Sequence, residues 1–115
     1  MKLPRYKVEW SEVASADLDG LLAFIALDSL RGAFKVLDRI ESKAGALSTL
    51  PLRGRVVPEL ARFQIRIYRE LIITPYRLLY RVEERRVWVV GVFDGRRNLE
   101  DVLLERVLSW GKPKD

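Results

Sequence analysis

The sequence predicts an α+β domain with the order β-α-α-β-β-β-α, a helical hairpin packed on an antiparallel sheet. Three observations predict it. Two apolar stripes of helical period lie between Ala14 and Leu47, separated by a short break at Asp28-Ser29. Three β-like runs follow between Phe63 and Phe93, joined by turns tight enough to make neighbouring strands antiparallel. A chain of 115 residues also suits one domain with a single core of ordinary size. The expected boundaries are 1–110 for that domain and 111–115 for a frayed tail.

The elements follow in order. From Arg5 to Trp10 the chain alternates, with Tyr6, Val8 and Trp10 on one face and Lys7 and Glu9 on the other, the pattern of a strand. Ser11 offers an N-cap, and Glu12 places a carboxylate in the first turn of a helix, where the dipole favours it. Ala14, Leu18, Leu21, Leu22 and Ile25 extend that helix to about Leu27. Ser29 caps a second helix with its stripe at Ala33, Val36, Leu37, Ile40, Ala44 and Leu47. Pro51, Gly54 and Pro58 mark Ser48 to Glu59 as a connecting loop. Strands are expected at Phe63–Ile73, Tyr76–Glu83 and Arg86–Phe93, with turns at Thr74-Pro75 and Glu83 to Arg86. Asn98 caps a last helix with an apolar strip at Leu99, Val102, Leu103, Val107 and Trp110.

Composition excludes several chemistries. With no cysteine and no histidine, the chain has no thiol nucleophile, no cysteine-ligated zinc site and no histidine-dependent triad. The pattern holds no metal-ligand set and no cofactor motif, so none is expected. No apolar run approaches the roughly 18 residues that span a bilayer. The opening MKLPRYKVEW lacks the apolar stretch of a signal peptide, so a cytoplasmic location without a membrane partner is expected.

The net charge is +5, and its placement carries information. From Arg53 to Arg97 there are eleven arginines, no lysine and five acids. Arginine forms planar, bidentate pairs with carboxylates and phosphates and sheds water more readily than lysine. In the middle strand Arg77 and Arg81 alternate with Tyr76, Leu78 and Tyr80, which predicts one face on the helices and one exposed, cationic face. Arg69, Arg77, Arg81, Arg96 and Arg97 are the candidate contacts to an acidic partner or a nucleic-acid backbone. The alternative for Arg77 and Arg81 is a solvated surface paired with Glu70 or Glu83; for Arg96 and Arg97 it is a turn in which Asp94 holds one of them. Tyr76, Tyr80 and Trp88 read as core aromatics, and Glu59 and Glu70 as partners of arginines such as Arg55 and Arg69.

Four stretches carry a family resemblance. They are Gly54-Arg55-Val56-Val57-Pro58-Glu59-Leu60, Arg69-Glu70, Tyr76-Arg77-Leu78-Leu79-Tyr80-Arg81 and Asp94-Gly95-Arg96-Arg97. In this order and spacing, from about Tyr6 to Leu108, the chain resembles the ParE/RelE superfamily, the toxin halves of type II toxin–antitoxin or plasmid-stabilisation systems. The resemblance implies a cognate antitoxin, with two copies of each chain in the complex, and inhibition of growth.

The branch is read from what is missing. RNA-cleaving relatives of the RelE type use lysine, arginine and glutamate, with histidine or tyrosine near the chain's end, to cut messenger RNA on the ribosome. Here neither histidine nor tyrosine follows Tyr80, and Ile72-Ile73-Thr74-Pro75 is apolar where those relatives place a cation. Their lysine pair is absent from the loop, although Arg53 and Arg55 remain. The resemblance therefore leans to the ParE branch, which implies binding of a macromolecular target, DNA gyrase. Two alternatives remain open. One is a ribosome-dependent mRNA endonuclease running on Arg55, Arg81 and Arg97; the other is an inactive member that only binds its antitoxin.

Overall fold

A computed structural model describes residues 5–110. The expected frayed tail, 111–115, lies outside the described residues. The elements are β1 (Lys7–Trp10), α1 (Glu12–Asp28), α2 (Leu30–Gly45), a 3-10 turn (Ala46–Ser48), β2 (Arg55–Val56), α3 (Pro58–Ala61), β3 (Tyr68–Ile73), β4 (Tyr76–Glu83), β5 (Arg86–Asp94) and α4 (Glu100–Trp110).

Local chemistry sets the helix ends. The Ser11 hydroxyl accepts a hydrogen bond from the Ala14 N–H at 3.1 Å and starts α1. Ser29 serves both helices of the hairpin. Its N–H donates to the Ile25 carbonyl and closes α1, while its hydroxyl accepts from the Gly32 N–H at 2.9 Å and opens α2. One extended serine thus turns the chain between two helices. The Asn98 side chain accepts from the Glu100 N–H at 3.2 Å at the start of α4.

The loop between α2 and the sheet is more ordered than its prolines and glycine suggest. Two residues of it pair as β2, and Pro58, at the first helical position where its missing N–H costs nothing, opens the single turn α3. After α3 the chain wraps back, with Phe63, Gln64 and Ile65 donating to carbonyls of Leu60 and Ala61 and Gln64 at φ 66°. This wrap is why β3 begins at Tyr68 and not at Phe63.

The five strands lie in the order β1-β5-β4-β3-β2. All neighbours are antiparallel except β1 and β5, which run parallel with Lys7 opposite Arg86 and Trp10 opposite Val89. The expectation of a purely antiparallel sheet is corrected at this edge. A parallel neighbour needs a crossover, and the hairpin α1–α2 supplies it.

Both faces of the sheet are covered. Ala14, Leu18, Ile40, Ala44 and Leu47 pack against Leu71, Leu78, Tyr80, Val87, Val89 and Val92 on one face. On the other, Val57, Leu60, Leu99 and Leu103 pack against Tyr68, Leu79, Val90 and Phe93. The register between β4 and β5 slips at Leu79/Tyr80, where Leu79 faces Gly91 but Tyr80 faces Val89. This β-bulge resets the alternation, so that Val87, Val89 and Val92 all reach the same core. Gly91 permits it, because a Cβ there would lie 2.6 Å from the Phe93 ring.

Candidate functional site

The arginines of the middle strand do not form an exposed cationic face. Arg77 is only 8% exposed and is held against Glu59 of α3. Its Nε donates to Glu70 Oε1 and its two terminal nitrogens to the two Glu59 oxygens, each at 2.7 Å. The other Glu70 oxygen accepts from Arg55 Nε at 2.6 Å. The Glu70 side chain is fully buried, and each of its oxygens holds one guanidinium. The Arg77 guanidinium holds the Glu59 carboxyl below its ordinary range against the opposing effect of burial. Hydrogen bonds to Glu59, and then to Glu70, push Arg77 further up. The chain of charges Glu59–Arg77–Glu70–Arg55 joins α3, β4, β3 and β2. Removing Arg77 would leave the largely buried Glu59 carboxylate without its ion-pair partner, which gives the cluster a structural role. Glu59 and Glu70 are thus in ion pairs as expected, with Arg55 and Arg77 as the partners.

The remaining candidates disperse. Arg69 donates to the Gly54 carbonyl at 2.8 Å and so pins the loop before β2. Tyr80 pins the same loop, its hydroxyl accepting from the Gly54 N–H at 2.9 Å, where any side chain on Gly54 would strike the Glu70 carbonyl. Arg81 points the same way as Arg77, as the alternation predicts, but lies in the wall of a separate cavity with Trp88 and Trp110. One Arg81 nitrogen is 3.7 Å from Glu83, and its Nε and Nη1 are buried without a partner among the described residues. Arg96 is gripped by Asp94 through two side-chain hydrogen bonds of 2.9 and 2.8 Å and one from its own N–H at 3.0 Å. The Arg96 side chain, and then its N–H, hold the Asp94 carboxyl down at about 2. Arg97, next to it, is exposed and makes no ion pair among the described residues.

A groove not foreseen from the sequence runs beside that loop along α1, reaching α4 in its larger part. It consists of two adjoining hollows of about 470 and 610 Å3 that share Leu21, Phe24 and Asp94. Phe24 is 74% exposed and Leu27 86%. Val92, Phe93 and Val102 line the larger hollow with Gly20, Arg97 and Arg106. Arg106 reaches across from α4 to Asp17 of α1 at 2.7 and 3.1 Å and lies 4.9 Å over the Phe93 ring. The second Asp17 role is to accept from the Val92 N–H at 3.1 Å, beside the bulge. The signal was present in the sequence: Leu21 to Leu27 is apolar at every position, more than one buried face of a helix can use.

Comparison with known proteins places this geometry. A family profile described as "ParE toxin of type II toxin-antitoxin system, parDE" matches residues 8–99, most of the chain. The chain belongs to the ParE toxin family. The ParE fold is also seen in solved structures. The chromosomal ParDE toxin–antitoxin system from P. aeruginosa superposes with a TM-score of 0.64 at 19% identity, over 78% of this chain and 96% of that one. The RelBE2 toxin–antitoxin complex from Mycobacterium tuberculosis superposes with a TM-score of 0.57 at 27% identity, over 81% of this chain and 94% of that one. No curated protein matches the sequence significantly. Among the described residues of this ParE-family toxin, no helix is long and apolar enough to cross a membrane.

Proposed function

We propose that this type II toxin arrests growth by binding a macromolecular target, DNA gyrase, and that a cognate antitoxin neutralises it in a complex with two copies of each chain. The observation that carries the binding reading is the dispersal of the arginines a nuclease would need. Arg55, Arg81 and Arg97 line three different cavities. Cleavage by a ribose hydroxyl requires a base or orienting group, a cation for the phosphate and an acid for the leaving oxygen at one point. Arginine cannot supply the base near neutral pH, and Glu59 and Glu70 are each engaged by guanidinium groups. Family membership and the toxin–antitoxin complexes among the structural neighbours support the antitoxin partner.

Induced expression in cells tests the reading. The expected result is growth arrest with altered nucleoids, intact transcripts and relief when the neighbouring antitoxin gene is co-expressed. Transcripts cut in the ribosomal A site, with the cuts lost in Arg81→Ala, would replace it with the endonuclease reading. Normal growth together with tight antitoxin binding would identify an inactive member.

A further inference from the structure

We infer that the cavity between Arg81, Trp88 and Trp110 is a small-molecule site for a neutral planar lactam, a free base of the guanine type. It lies four residues beyond Arg77 on β4 and shares no lining residue with the groove along α1. The reading is independent of the toxin's target and of the antitoxin.

The site is short of acceptors. The Arg81 side chain is 12% exposed, and its Nε and Nη1 are buried without a hydrogen-bond partner among the described residues. Trp110 Nε1 is a third donor in the same condition. Glu83 comes within 3.7 Å of Arg81 Nη2, too far for a hydrogen bond. Burial raises the Tyr68 hydroxyl pKa against the Arg81 charge, so Tyr68 is a neutral neighbour, and it bonds to neither orphaned nitrogen. Buried donors left open cost free energy, and a ligand that brings acceptors recovers it.

The walls select a flat ring. Trp88 and Trp110, with Val13 and Val90, line a space of about 310 Å3, enough for one small heteroaromatic molecule against an indole. The charges then select neutrality. Besides Arg81 the lining holds two carboxylates, the exposed Glu12 and the half-buried Glu83. Two acids against one arginine disfavour a free carboxylate or a phosphate, and a nucleic-acid backbone would meet both acids on entry. A neutral lactam suits both signs. Its carbonyl oxygen and ring nitrogen accept from Arg81, as guanine O6 and N7 accept from arginine elsewhere. Its ring N–H and amino groups are left to donate to Glu12 and Glu83.

The test titrates the full chain with guanosine, adenosine and benzoate, read by calorimetry and by the indole N–H resonance of Trp110. Guanosine is expected to shift that resonance and to bind about tenfold or more tighter than adenosine, whose amino group donates where the lactam carbonyl accepts. Arg81→Met, which keeps the apolar stem, should weaken guanosine by about tenfold or more. Glu12→Gln, at an exposed position that should fold as the parent does, is expected to weaken it measurably and decides the matter if Arg81→Met does not fold. Adenosine that binds as tightly as guanosine overturns lactam recognition. Benzoate that binds more tightly than guanosine makes this an anion site and overturns neutrality. A single-stranded oligonucleotide with one guanine that outcompetes guanosine overturns the small-molecule assignment. Guanosine binding unchanged in both variants places the ligand elsewhere, and no binding at all leaves the buried donors to water; either result overturns the site.

Discussion

Under α1 and α2 the sheet meets mostly hydrocarbon, from Leu18 and Ile40 to Leu78 and Val89. On its other face the same sheet packs Leu79 and Phe93 against Leu103 of α4 and carries a row of two arginines and two glutamates in which Arg77 and Glu70 are buried. The two faces hold their helices by different physics. Hydrocarbon burial is non-directional, grows with area and is indifferent to protonation. The ionic row is directional, and its buried members are costly to leave alone. It ties the two-residue β2 and the four-residue α3, elements too short to persist on their own backbone bonds, to the middle of the sheet.

The largest expected effect breaks the ionic face. Arg77→Ala leaves Glu59 without a partner and Glu70 with one, and should destabilise the domain by about 3–5 kcal/mol in urea melts. A surface arginine would have cost almost nothing, so this substitution separates the observed placement of Arg77 from the exposed face its alternation suggests. Replacing Glu59, Glu70 and Arg77 together with apolar residues of similar volume should recover most of that loss. Failure to recover would mean that the row contributes more than mutual neutralisation.

On the hydrocarbon face Ile40→Ala should cost about 2–5 kcal/mol, through the cavity left at a fully buried site. Its cost should be the same at pH 7 and pH 4, whereas that of Arg77→Ala should shrink in acid. The sign follows from Glu59, whose folded pKa lies below its ordinary 4.5. The stabilisation it brings is complete above that value and is lost as pH falls through the folded pKa. Stability of the parent chain should therefore decline on acidification below pH 4.5, and Glu59→Gln should blunt the decline. A parent and a Glu59→Gln chain with parallel pH profiles would remove Glu59 from this role.

Arg96→Ala should give the smallest effect, with no measurable shift in melting, because its pair with Asp94 is open to water. A clear loss of stability there would mean that the Asp94 turn sets the register of the β4–β5 end.

Much of this contrast was legible in part. The stripe Ala33, Val36, Leu37, Ile40 and Ala44 and the caps Ser11 and Ser29 are local patterns, and the helices fall where those patterns put them. Alternation in β4 correctly placed Arg77 and Arg81 on the opposite face from Tyr76, Leu78 and Tyr80. The same alternation misjudged what covers that face. Whether a strand's second face meets water depends on where α3 and α4 return, and that is a long-range event. The bulge at Gly91 was likewise hidden, since Val89-Val90-Gly91-Val92 reads equally well as an unbroken strand.

By itself the sequence determined the α+β class, the hairpin, the three-strand meander and the absence of thiol and imidazole chemistry, because each depends on residue type or on spacing within one element. Only the tertiary structure decided which arginines are buried, that β1 lies parallel beside β5, and that Leu21 and Phe24 open into a groove with α4. Those outcomes depend on which distant elements meet. A guanidinium looks the same in sequence whether a carboxylate, a tryptophan or water lies opposite it.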